Sequence, residues 1–525
     1  MIDIDYKPFF IFLPLLIKII FLLFFCLVII NWDIICSFFK NIKKRTWLIL
    51  LLITIIGFLL RLFWISHGQM VFYDGFNWVS MAMSIEGEGI YGLCEIYFNN
   101  SCYYYTFHSW PPAFHTFLSV FFKVFHSGEI TAFYVSLFLG TLMIPLSFLL
   151  SYLWTKKENI ALLGSMIFGL LPPILKFSGG VSLQFFSVFF LLITLIFLEM
   201  LLHNKNKKLF FLVLVSLLLV VYSRPEHIIL IPIFIFSIAL RGDVKKCLSK
   251  KDILLIIGSF FVLIVPALFL LYYGTAVMKY DGWTASFVDT INYFLKHLPQ
   301  NLYFFVNPLF NSVVFTVFAL IGTLVVFMKE KKVFFFYAIL LLFYFAFYTA
   351  FDMGEFYKNE IRYSLILYVP LFFFFIKSVS YFYGKIKNGK YKMLLLVFLL
   401  ILFLLSILSA ITYIKQEEKL ATVIDVLHSG KEMLPDNHYI ISNSSAIIRS
   451  TINKNVVASY FFFNNDNDRY FNFKNKQFFL LIDSLWEYDY YKDMNFIYNN
   501  YELNPLIIDY DGYNQKIIFY KLLEK

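Results

Sequence analysis

Residues 183–222 read LQFFSVFFLLITLIFLEMLLHNKNKKLFFLVLVSLLLVVY, two apolar runs joined by a short turn that carries Lys205, Lys207 and Lys208. An apolar run of about 20 residues is what an α-helix needs to cross the hydrocarbon core of a bilayer. Two such runs returning through a basic turn predict a pair of membrane spans. The same pattern recurs along the chain, with candidate spans near 9–31, 46–65, 131–154, 160–177, 183–202, 208–222, 226–240, 253–273, 309–328, 333–350, 364–380 and 393–414. The expected fold class is therefore an α-helical polytopic membrane protein with about twelve transmembrane helices.

Composition agrees. The 525 residues are 60% hydrophobic and 21% aromatic, with a mean hydropathy of +0.74, too apolar for a water-soluble domain. The N-terminal run has no small-residue cleavage site after it and exceeds a signal-peptide core, which predicts a retained helix. The net charge of +10 does not imply a nucleic-acid partner, because Lys and Arg fall in short clusters between apolar runs. If the twelve spans alternate, Lys40 to Arg45, Lys156 and Lys157, Lys205 to Lys208, Arg241 to Lys251, Lys329 to Lys332 and Lys377 to Lys392 all reach one side. That side is expected to be the cytoplasm. The other receives the long segment 66–130, the loops 274–308 and 351–363, and everything after about residue 415.

Three domains are expected on this scheme. Residues 1–45 supply an extra N-terminal helix and a cytoplasmic loop, 46–414 the main transmembrane domain with its outer loop 66–130, and 415–525 a small extracytoplasmic α/β domain. The last is read from short apolar runs such as HYIISN, KNVVASYFF, QFFLLID and KIIFYKLLE, separated by polar turns. Residues 111–125, PPAFHTFLSVFFKVF, predict a helix along the membrane surface, started by Pro111 and Pro112, with Lys123 and His115 snorkelling to water. Cys94 and Cys102 share the outer loop, where an oxidising environment permits a disulfide.

Ionisable groups predicted on the outer side of the bundle gather in a few places. They cluster at Asp74 in YDGFNW, Glu86 and Glu88, HSWPP at 108–112, SRPEH at 223–227, KYDGW at 279–283, and DMGEFYKNEIRY at 352–363. Each has a plain structural reading: Arg224 with Glu226 fits a snorkelling cation and its partner, and Arg362 with Tyr363 fits an interfacial anchor. Collected on one face of a polytopic protein, they also make the ingredients of a site at the membrane boundary. No phosphate-binding loop, nucleophile elbow or zinc-protease motif is present. The Asp-x-Asp triplets at Asp3, Asp466 and Asp509 are weak signals.

The order of these features is more specific than any one of them. A span ending in Arg61, an outer loop with Asp74, then HSWPPAF, VSLFLGTLMIPLSFLLSYLW, PPILKFSGGVSLQFFSVFF, YSRPEHIILIP and NEIRYSLILYVPLFFF, resembles the GT-C class of membrane glycosyltransferases. The likeness is to the protein O-mannosyltransferase and aminoarabinose transferase branch, over roughly residues 46 to 380. It implies the GT-C fold and a polyprenyl-phosphate sugar donor, dolichyl- or undecaprenyl-linked, used on the outer face. It also implies Asp74 as catalytic base, Arg362 and Arg224 as ligands of the donor phosphate, and Tyr73, Trp78, His108, Trp110, Glu226, Glu360 and Tyr363 around the substrates. Gly75 stands where many relatives carry a second acid. No cofactor is implied and no motif indicates a metal, although a divalent ion stays open. The acceptor that the resemblance implies is a protein, glycan or lipid hydroxyl. Two other readings compete, a flippase for a lipid-linked sugar and an inactive assembly subunit.

Overall fold

The computed structural model describes residues 7–64, 74–98, 101–107, 111–204, 206–241, 258, 264–270, 272–273, 287–351, 354–356 and 358–411. In the C-terminal part it describes 438–442, 449, 451, 456–458, 477–482, 501–510 and 516–524. The helices are α1 (Lys7–Ile30), α2 (Trp32–Phe39), α3 (Lys44–Trp64), α4 (Asp74–Glu88), α5 (Ala113–Val124), α6 (Glu129–Thr155), α7 (Glu158–Gly169), α8 (Pro172–Phe177), α9 (Leu183–Asn204), α10 (Lys207–Val221), α11 (Leu230–Arg241), α12 (Phe287–Phe304), α13 (Val313–Lys329), α14 (Lys331–Thr349), α15 (Tyr368–Lys385) and α16 (Gly389–Ser409). Two 3-10 segments, Pro225–Ile229 and Lys358–Leu367, lead into α11 and α15.

Among the described residues seven helices are long and apolar enough to cross a membrane, and four shorter apolar helices accompany them. The chain is an integral membrane protein. The expected span at 160–177 is two helices, because the chain turns at Leu170 and Pro172 restarts it at a first-turn position. Most of the expected span at 253–273 lies outside the described residues. The segment expected on the membrane surface is α5, and it is packed into the protein: Ala113, Phe114, His115, Thr116, Leu118, Ser119 and Phe122 are buried. His115 does not snorkel. Its ring is fully buried with Nδ1 3.0 Å from the Pro111 carbonyl oxygen. Lys123 is exposed, as a snorkelling residue must be.

Close packing follows small residues. A Cβ at Gly322 on α13 would stand 1.8 Å from the Phe374 carbonyl oxygen of α15, so only glycine lets these helices meet there. Arg61, fully buried on α3, donates to the carbonyls of Gly57 at 3.0 Å and Gly169 at 2.5 Å, tying α3 to the end of α7. Near the ends of α9 and α11, Arg241 forks onto both carboxylate oxygens of Glu199 at 3.0 and 2.8 Å. Tyr337 of α14 donates to the same carboxylate and accepts from Trp154 of α6. A buried ion pair needs hydrogen bonds to its remaining lone pairs, and the Tyr337 hydroxyl supplies one.

The strands are β1 (Leu93–Phe98), β2 (Ser101–Thr106), β3 (His438–Ser442), β4 (Val456–Ala458), β5 (Gln477–Ile482), β6 (Tyr501–Tyr510) and β7 (Lys516–Glu524). They form one mixed sheet in the order β2-β1-β4-β3-β5-β7-β6. The C-terminal runs read as strands are strands, but the sheet is not theirs alone. The hairpin β1–β2 from the long loop after α3 joins it, with Ile96 opposite Val457 and Tyr97 opposite Val456.

Candidate functional site

Three helices deliver charged or hydroxyl groups to one end of the bundle. Arg224 follows the end of α10, Tyr348 closes α14, and Arg362 precedes α15. The other ends of these helices carry Lys207 and Lys208, Lys331 and Lys332, and Lys385. At 1.5 Å per residue those basic ends lie roughly 22–28 Å away. The candidate groups and the basic turns therefore occupy opposite ends.

Asp74 opens α4, where a carboxylate complements the helix dipole. Its Oδ2 accepts a hydrogen bond from Arg362 Nη1 at 2.9 Å. The Asp74 side chain is 36% exposed and that of Arg362 only 7%. Asp74 Oδ1 has no hydrogen-bond partner among the described residues. The carboxylate is thus held through Oδ2 and remains one-third exposed.

Tyr363 joins this pair to a second one. The Arg362 guanidinium lies 5.1 Å from the Tyr363 ring centre and that of Arg224 lies 5.2 Å from it, so one aromatic ring supports two cations. Arg224 Nε donates to Glu226 Oε1, and Tyr348 Oη donates to the same oxygen at 2.6 Å. The Tyr348 and Tyr363 rings are 5.2 Å apart. Only Nε of Arg224 is used, and its two Nη groups make no hydrogen bond among the described residues. Behind them His227 Nδ1 is 2.8 Å from Tyr344 Oη. Glu226 Oε2 and His227 Nε2 are buried with no hydrogen-bond partner among the described residues. Two guanidinium forks beside a partly exposed carboxylate can bind phosphate oxygens and accept a proton within one small region.

Of the residues singled out by sequence, Asp74, Arg224, Glu226, Arg362 and Tyr363 are thus brought together. Trp78 stands one turn beyond Asp74 on α4 but is 3% exposed, packed in the core. Tyr73, His108 and Trp110 lie outside the described residues. Glu360 lies in the 3-10 segment two positions before Arg362, and its side chain is not among those described. Cys94 and Cys102 form a disulfide. Glu88 is structural, accepting from the Cys102 amide at 2.7 Å and from Tyr105 Oη at the base of the hairpin. Burial and this carboxylate push the Tyr105 hydroxyl well above its usual range. Sequence reasoning missed Tyr348 and Tyr344, since tyrosines in a Phe- and Tyr-rich span look like core, whereas His227 stood in the SRPEH cluster without a role of its own. Among the described residues no three His, Cys, Asp or Glu side chains group as a metal would require. A cavity of about 860 Å³ between α5 and α6 is lined by none of the site residues.

No protein-family model matches the chain, and no curated protein matches it by sequence. Solved structures do. ArnT from Cupriavidus metallidurans bound to undecaprenyl phosphate is 11% identical, with a TM-score of 0.56 over 91% of this chain and 98% of that one. The archaeal oligosaccharyltransferase AglB from Archaeoglobus fulgidus, in complex with an inhibitory peptide and a dolichol-phosphate, is 13% identical, with a TM-score of 0.52 over 93% of this chain and 75% of that one. At such identities the likeness is one of fold. With its membrane-length helices, its C-terminal sheet and these neighbours, the chain has the GT-C fold of membrane glycosyltransferases.

Proposed function

We propose that this protein is a glycosyltransferase that moves a sugar from a polyprenyl-phosphate donor to an acceptor hydroxyl on the outer face of the membrane. The observation that carries the reading is the Asp74–Arg362 ion pair, set on the ring that also supports Arg224. The two structural neighbours bind undecaprenyl phosphate and dolichol-phosphate, which supports a lipid-linked donor here. Basic turns at the far end of the bundle favour the cytoplasm, which supports an outward-facing site.

In this reading the donor phosphate draws the Arg362 and Arg224 forks onto its oxygens. Asp74 takes the acceptor's proton as the acceptor oxygen bonds to the sugar's anomeric carbon. The bond from that carbon to the phosphate oxygen breaks, and polyprenyl phosphate leaves with the electron pair, its new charge stabilised by the guanidinium groups. A single displacement inverts the anomeric configuration. Glu226 Oε2 and His227 Nε2 are suited to sugar hydroxyls.

The test is to incubate membranes containing the protein with radiolabelled polyprenyl-phosphate mannose, glucose or aminoarabinose and locate the label. Label in a new, non-lipid-phosphate product supports the reading. Label that crosses sealed vesicles while still lipid-linked would replace transfer with flipping, and no movement of label from any donor would favour an inactive subunit.

A further inference from the structure

Arg449 belongs to the C-terminal segment, yet its side chain is buried against the helix that begins with Asp74. It is 3% exposed. Its Nη1 donates to Ser84 Oγ at 2.7 Å and lies 3.3 Å from the Ser80 carbonyl oxygen, both on α4. Its guanidinium rests 4.7 Å from the Tyr97 ring centre on β1, and its Nε has no hydrogen-bond partner among the described residues. No carboxylate pairs with it within ion-pair distance among the described residues. Burial lowers its proton affinity, and Tyr105, Tyr97, Glu88 and Glu86 oppose that effect only in part. A guanidinium buried on such terms is a poor source of stability, and its best-attested use is to fix one geometry among several.

Its surroundings fasten the same helix. The hairpin that carries Tyr97 is closed by the Cys94–Cys102 disulfide and bonded to Glu88 at the end of α4. The same hairpin pairs with β4 a few residues beyond Arg449. Thr451 Oγ1 donates to Glu129 Oε2 at the start of α6, at 3.2 Å. One end of α4 is thus bound to the C-terminal segment, and the other presents Asp74 to Arg362. Ser84 is ten residues along α4 from Asp74, roughly 15 Å of continuous helix.

We propose that Arg449 is a positioning residue: it holds α4 so that Asp74 meets Arg362, and the C-terminal domain sets the transfer rate through this one helix. The proposal rests on the transferase reading for its kinetic arm and stands apart from it in its structural arm.

The full-length protein in lipid nanodiscs is compared with Arg449→Gln, Arg449→Lys and Ser84→Ala. Hydrogen exchange needs no activity. In Arg449→Gln, protection is expected to fall across residues 74–84, with Arg449→Lys close to wild type and Ser84→Ala in between. Loss confined to the hairpin and the C-terminal strands, with 74–79 as protected as before, would overturn the proposal. In the kinetic arm, kcat for Arg449→Gln is expected to fall roughly 10- to 100-fold with donor KM within about twofold, as misplacement of a catalytic group does. An unchanged kcat with a raised KM would make Arg449 a binding element and reject positioning. If wild type transfers no label, the transferase reading fails by itself and the exchange result still decides whether Arg449 orders α4.

Discussion

Asp74 and Arg362 are 288 positions apart in the chain and 2.9 Å apart in space. That contact makes their roles separable by substitution. Asp74→Asn keeps size and polarity and still accepts a hydrogen bond from Arg362, but it cannot take a proton. Turnover is expected to fall roughly 10²–10⁴-fold with donor binding nearly intact, as loss of a general base does. Steady-state transfer and donor-binding isotherms on the purified variant check this. Near-wild-type transfer would move the base to another carboxylate. Arg362→Lys keeps charge and loses the fork, so donor binding is expected to weaken, and Arg362→Ala to weaken it further. Full activity in both folded variants would reduce Arg362 to an interfacial anchor. Asp74 and Arg362 were both legible as candidates, from their places in the order of motifs that resembles the GT-C class. Their pairing was not, since nothing local brings residue 74 to residue 362.

At the scale of elements, α4 and its hairpin behave as one unit. Gly89 stops α4 with a φ of +72°, a left-handed conformation that glycine adopts without strain, and the chain turns into β1. The disulfide then closes a loop of eight residues' separation between β1 and β2. Loop-closure entropy for so short a ring is worth about 2–3 kcal/mol, a modest gain for the whole protein but a large one for a two-stranded ribbon. Replacing both cysteines by serine is expected to leave the helical bundle folded while hydrogen exchange at 93–106 accelerates. Thiol labelling of the denatured, non-reduced wild type is expected to miss Cys94 and Cys102, and label at both would rule the bridge out. The cysteine pair was readable from shared loop and compartment. That the hairpin joins the C-terminal sheet was not, because β1 and β4 pair across more than 350 positions through backbone groups common to every residue.

For the whole molecule, the bundle is polar in direction: basic turns at one end, and the Asp74–Arg362 and Arg224–Glu226 pairs at the other. Reporter fusions at Lys207 and near Glu417 are expected to report opposite sides, Lys207 in the cytoplasm and Glu417 outside. A cytoplasmic signal from both would overturn the twelve-span scheme and the outward site with it. The helices between these ends are stabilised by packing of Phe, Leu and Tyr at small-residue contacts such as Gly322 on Phe374. In lipid the hydrophobic effect does not press helices together, so shape and buried polar links such as Glu199–Arg241 decide which ones meet.

The sequence by itself determined that the chain lives in a membrane, where most helices run, which turns are basic, and which few ionisable groups stand out. Those are properties of local composition, and a bilayer reads composition directly. Only the tertiary structure decided that α5 is buried and that His115 faces the core. It also decided that Tyr348 completes the Arg224–Glu226 pair, and that Arg449 reaches back from the last hundred residues to the helix of Asp74. Each of these depends on which helix faces which. A chain whose spans are apolar all round carries no amphipathic stripe to announce it.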